Sequence, residues 1–379
     1  MKLRRPSPAA VLSGLGVWSL AFWAGLRFVP AASTGPFDRE AFRAAVLMAR
    51  SIEALGDYRQ AFGPPIDARF DLNRTGLIGI EDSSITTSLG RLEAKRTTTN
   101  PNFAKAVVRM FREADLKRGD VVAVGASSSF PGLILATLVA AETLGVKPLL
   151  VSSLGASNWG ANHPDWTWIE MSACLRDKGL LKVEPIAFSV GGDGDSGSEM
   201  DAAGRELLEG KIRASGRPFL HESGLADNVR ARIAALDRSA GGKAIKVFIN
   251  VGGSWADMGT DGEVLKLRPG FNPASDVSVP AVERRGLIQE MAGRGIPVIH
   301  LLYVKGLCDR YGLPWDPVPL PNPSRDSGQS VDEKPSLLNL IVIGVYLAGM
   351  ILGLGWIIFD RRRFGMSRDE PSARHSPVA

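Results

Sequence analysis

The sequence predicts an α/β fold: an open, mainly parallel sheet with helices on both faces, flanked by two transmembrane helices. Three observations predict it. Short apolar runs alternate with segments of helical periodicity, the pattern of strand–helix–strand units. The first four of those runs each end in a loop of glycine, serine and other small polar residues. Uncharged or nearly uncharged runs, Val11 to Val29 and Leu337 to Phe359, bracket the remainder. Each is about long enough for a helix to cross the roughly 30 Å core of a bilayer.

Taken in order, residues 1–10 carry Lys2, Arg4 and Arg5 and read as a cytoplasmic N-terminus before a span over 11–29. A cleaved signal peptide, with its small-residue site at Val29, Pro30 and Ala31, is the other reading of that run. Arg361, Arg362 and Arg363 follow the second span, 337–359, and put the tail 360–379 on the same side. The intervening domain, 37–316, is then expected outside a bacterial cytoplasmic membrane, with 317–336, rich in proline, serine and charge, as a linker. Gly349 and Gly353, and Ala21 and Gly25, form small-xxx-small patterns that predict helix contacts.

Within the domain, Phe42, Val46, Ala49 and Ile52 fall at helical spacing and predict a helix over Asp38–Ile52. Asn100 is a favourable N-cap, and Pro101 suits the first turn of a helix running to Ala114. Val121–Val124, Pro131–Gly145 and Leu149–Val151 then read as strand, helix and strand. Further strands are expected at Pro185–Val190, Lys246–Val251 and Pro297–Tyr303, with helices at Trp166–Lys178, Asp201–Ser215, Asp227–Leu236 and Val282–Arg294. The economical assembly is five parallel strands joined by right-handed crossovers.

The net charge of +5 owes much to the arginine-rich ends, which are read as topology signals, so nucleic acid is not an expected partner. Two cysteines, Cys174 and Cys308, leave a disulfide and a pair of unpaired thiols both open. No zinc, EF-hand or Walker pattern occurs, and no cofactor or metal is expected.

The four loops are Gly125–Ser129, Ser152–Ser157, Gly191–Ser196 and Asn250–Ser254. In a parallel sheet the carboxyl ends of the strands share one edge, so such loops converge on one crevice. Tight strand-to-helix turns need glycine and serine in any case, which is the plainer reading. The candidate anion-binding residues are Lys95, Arg96, Thr97, Thr98 and Asn100, ahead of a helix N-terminus, with Ser127, Ser128, Ser129, Ser152, Ser153, Ser157, Asn250, Gly252 and Gly253 from the loops. A capped helix with solvated charges is the alternative for the first group.

Gly125 to Ser129 is also similar to a nucleophile elbow whose last glycine is replaced, which makes Ser127 a candidate nucleophile. His300 follows it in the chain order of a hydrolase triad, yet Val298, Ile299, Leu301 and Leu302 around it favour a packed core histidine. Asp193 and Asp195 lack the further oxygen ligands a hard cation needs and read as turn residues. Trp159, Trp166 and Trp168 read as loop packing rather than a lip over the crevice.

The segments Thr86–Asn102, Val122–Pro131, Ser153–Ser157 and Asn250–Gly253 together resemble the poly-γ-glutamate system protein family, over nearly the whole central domain. The resemblance implies a membrane-associated accessory protein working beside the poly-γ-glutamate ligase and the integral membrane subunits that make and export the polymer for the cell surface or capsule. It brings no established catalytic residue. A polymer with one carboxylate per residue needs cations and N–H donors along its path, which Lys95, Arg96 and the crevice hydroxyls would supply. The expected role is to bind or guide that polymer, or to organise its synthesis complex. The rivals are a polymer-processing hydrolase using Ser127 and a purely structural membrane subunit.

Overall fold

The computed structural model describes residues 7–28, 36–324 and 337–365. The chain divides into two units, 1–34 with 332–379, and 35–331. The expected N-terminal segment 1–10 and tail 360–379 lie largely outside the described residues, as does the linker beyond 324.

The chain begins with α1 (Pro8–Phe28) and α2 (Pro36–Phe62). The buried stripe of α2 is Ala41, Ala44, Met48, Ile52, Leu55 and Arg59, which continues the helix well past Ile52. α3 (Leu92–Thr98), a helix the sequence pattern does not predict, precedes α4 (Asn102–Glu113). Next come β1 (Val121–Ser127), α5 (Pro131–Leu144) and β2 (Lys147–Ser153). Both strands outrun their apolar cores because the terminal serines stay in the ladder, with Ser127 paired to Ser153. α6 (Trp168–Asp177) starts at a capping box made by Thr167 and Glu170.

β3 (Ala187–Ser189), α7 (Ala202–Ala214), α8 (Leu225–Ala240), β4 (Ile245–Val251), α9 (Trp255–Met258) and β5 (Gly270–Asn272) come next. α10 (Leu287–Gly293), β6 (Val298–Leu301), α11 (Val304–Tyr311) and α12 (Leu337–Gly365) complete the order. The helix expected over Val282–Arg294 is broken. Only a 3₁₀ turn forms at Val282–Arg284, and α10 begins after Gly286, whose backbone packs so tightly on Asp257 and Gly259 that a Cβ would collide.

The sheet has six strands in the order β3-β2-β1-β4-β6-β5. The first five are mutually parallel, and β5 is an antiparallel edge strand on β6. Helices cover both faces. Val122, Val124 and Ala126 of β1 point into a core shared with α2, α4, α5 and α6. Val121 and Ala123 point into the other, formed with α8 and α10. α5 is buried almost all round because α2 and α4 pack over it, which explains its lack of a polar face.

The two expected membrane spans are corrected by the structure: among the described residues no helix is long and apolar enough to cross a membrane. The flanking spans drop out of the fold class, and with them the membrane localisation and the sidedness read from the arginines. Within their own unit, α1 and α12 pack together. Phe22 stacks on Tyr346 with centroids 4.1 Å apart, and the Ser19 hydroxyl lies 3.1 Å from that of Tyr346. Gly349 faces Trp18 and Gly353 faces Leu15. Cys174 and Cys308 are both buried, unpaired thiols.

Candidate functional site

Strand order reverses at β1 and β4, the switch point where an open parallel sheet leaves a crevice beyond its carboxyl ends. A cavity of about 500 Å³ lies there. All four glycine- and serine-rich loops line it, through Ser127 and Ser129, Ser153 and Ser157, Gly192 and Asp193, and Gly253 and Ser254. Leu89, Trp255, Tyr303 and Trp315 form an exposed apolar rim, with Arg91 and Lys305 also on the lining.

Lys95 stands at the centre of the polar floor. It projects from α3, is 2 % exposed, and its Nζ donates to the Ser129 carbonyl (2.5 Å) and to Ser157 Oγ (2.7 Å). The ammonium also sits 3.7 Å from the centroid of the Phe130 ring. None of these partners carries a charge. Burial therefore acts unopposed and pushes the Lys95 ammonium down to about 7. Serine hydroxyls complete the floor: Ser127 Oγ donates to Ser129 Oγ (2.9 Å), which also accepts the Ser157 N–H (2.9 Å). Both acceptor positions of Ser129 Oγ are thus used, and its own O–H is the function left to it.

The remaining residues expected at the site have other tasks. Arg96 forms an ion pair with Asp316, its Nε 2.7 Å from Asp316 Oδ1. Thr97 and Thr98 donate to the carbonyls of Glu93 and Lys95, so these hydroxyls close α3 rather than face a ligand. Asn100 does not cap α4 in the expected way: the N-cap position is Pro101, and Asn100 Oδ1 accepts from Asn102 N at 3.0 Å. Ser128 is buried and donates to the Ser153 carbonyl, and Ser152 is buried in the sheet. Asn250 Nδ2 bonds the Gly252 carbonyl (2.8 Å) and lies 3.0 Å from His300 Nδ1. Gly252, at φ +85°, places its backbone where a Cβ would meet Ser127.

His300 is a core residue, pushed down to about 4 by burial and hence neutral, with Asn250 rather than a serine as its partner. Trp166 and Trp168 are buried in the core, and Trp166 Nε1 donates to the Gly76 carbonyl. Below the crevice, Asp195 pairs with Arg232 at 2.7 Å, both side chains almost wholly buried, and Arg232 Nη2 also reaches Ser189 Oγ at 2.6 Å. Asp195 is therefore committed to a cation of the protein. Among the described residues no cluster of three metal-ligating side chains forms.

The sequence reading missed Gly90. A Cβ there would come within 3.0 Å of Ser157 Oγ and 3.1 Å of Lys95 Cε, so its bare backbone is what lets the segment lie over the pair. Its signal in the sequence is slight, a lone glycine five residues before Lys95.

The class defined by this geometry is an α/β domain with a ligand crevice at its switch point. Comparison with known proteins adds no family: no family model, curated protein or solved structure matches the chain. Those comparisons give no support to a link with poly-γ-glutamate or a capsule.

Proposed function

We propose that the crevice binds a carboxylate-bearing ligand, and that the chain acts as an accessory protein of poly-γ-glutamate synthesis or export, binding or guiding the polymer or organising its synthesis. The observation that carries the binding is Lys95, a buried ammonium on the cavity lining whose protein partners are all uncharged. Burying a cation without a counter-charge costs stability, and such costs concentrate where function needs them. A ligand carboxylate at Nζ would supply the missing charge. The polymer rests on the sequence resemblance and on its regularly spaced carboxylates, which suit Lys95 together with the exposed Arg91 on the same lining. On the same reading its partners are the poly-γ-glutamate ligase and the integral membrane subunits of that system.

Calorimetric titration with a γ-linked glutamate oligomer tests the proposal. Binding should weaken as pH rises through 7, by at most about tenfold per unit, because only the charged form of Lys95 attracts a carboxylate. Lys95→Met at pH 6.5 should bind about 10- to 100-fold more weakly, the scale of one charge-assisted hydrogen bond. Equal affinity in wild type and Lys95→Met would overturn the proposal.

A further inference from the structure

We infer that Ser157 and Lys95 form a nucleophile–base pair able to cleave an ester or amide of an acyl group seated in the crevice. Three features of the geometry support it. Ser157 Oγ lies 2.7 Å from Lys95 Nζ, within reach for direct proton transfer, and both residues line the cavity. The base is held by a third group, as nucleophile–base pairs generally require, since Lys95 Nζ is anchored on the Ser129 carbonyl and over the Phe130 ring. The nucleophile is held too, through its own N–H on Ser129 Oγ.

The chemistry needs no component beyond the acyl substrate and water. Ser157 Oγ attacks the carbonyl carbon while its proton passes to neutral Lys95 Nζ. The Ser129 O–H, left free to donate because Ser127 and Ser157 occupy its acceptor positions, is the donor this reaction would use for the oxyanion. On collapse the carbonyl's bond to its leaving amine or alcohol breaks, and that group takes the proton from Lys95. The Ser157 ester is then cleaved by water, which gives one proton to Lys95, and this proton returns to Ser157 Oγ as the acid departs. Lowering of the lysine to about 7 makes the neutral form available near neutral pH. Ser127, the serine singled out in the sequence, instead spends its hydroxyl on Ser129.

The inference shares the crevice with the proposed function but does not rest on polymer binding, because Lys95 acts here in its neutral form. Labelling of the full chain by a fluorophosphonate, read by mass spectrometry of the modified peptide, tests it. Wild type should be labelled at Ser157, at a rate that rises with pH through about 7 and then levels. Ser157→Ala should abolish the label, and Lys95→Met should slow it by about a hundredfold or more. Ser172→Ala, at a buried serine of α6 away from the lining, should label as wild type does. Thermal unfolding of each variant separates a lost reaction from a lost fold. An unlabelled wild type, a label on Ser127, or a label that survives Ser157→Ala would overturn the inference. Oligomer binding without labelling removes this inference alone; labelling without oligomer binding removes the polymer reading alone.

Discussion

At Lys95 the needs of folding and of binding oppose each other. The folded chain holds this ammonium at about 7, whereas an unfolded lysine titrates near about 10.4. Between those values the unfolded chain binds the proton that the folded chain has released, so unfolding free energy rises with pH across that window and is flat in this group below it. Lys95→Met removes the group, and the difference in denaturant midpoint between wild type and variant should shift in favour of wild type from pH 7 to pH 9.5. A pH-independent difference would show that the lysine is not held neutral. As a cation among hydroxyls Lys95 was legible in the sequence; its burial was not. That burial depends on α3, and the β-branched run Thr97 to Thr99 hides this short helix from any propensity argument. Arg96, its neighbour, looked equivalent in sequence, yet it pairs with Asp316, a residue far along the chain that no local pattern connects to it.

Among the elements, the helices with strong periodicity and the five parallel strands were legible, because burial on both faces of a sheet writes itself as apolar runs. β5 was not: three residues with a glycine at the start are too few to show alternation. The break before α10 was equally hidden, since Gly286 is required by a backbone approach from Gly259 rather than by any local turn signal. The apolar runs at the ends suggest spans by length and hydropathy, yet among the described residues no helix is long and apolar enough for that. Their small residues do have a packing role, in which Gly353 receives Leu15 and Gly349 receives Trp18. Gly353→Ile should therefore separate the two helices, whereas Gly355→Ile, which meets open space, should not. A disulfide formed between cysteines placed at Ser19 and Tyr346 reads the outcome: it should be lost with Gly353→Ile and kept with Gly355→Ile. Its survival in both would mean that the close approach at Gly353 does not hold the pair.

For the molecule as a whole, topology makes the site. Each parallel strand delivers its following loop to the same edge, and the reversal between β1 and β4 opens the gap into which those loops turn. The convergence was legible in the sequence as a repeated chemistry after the first four of the five expected strands. The identity of the working groups was not, because it depends on α3 bringing Lys95 across to Ser157, sixty-two residues away in the chain. Central to this account is that Lys95 is a desolvated amine in a crevice that accepts a carboxylate. Direct titration of its side chain by NMR in lysine-labelled protein, with the signal assigned by its loss in Lys95→Arg, is the most immediate test. The expected midpoint is near 7 for the protein alone, moving upward when a γ-linked glutamate oligomer is added, because a neighbouring carboxylate favours the charged form. A midpoint at the ordinary lysine value, or one near 7 that the oligomer leaves unmoved, would contradict it.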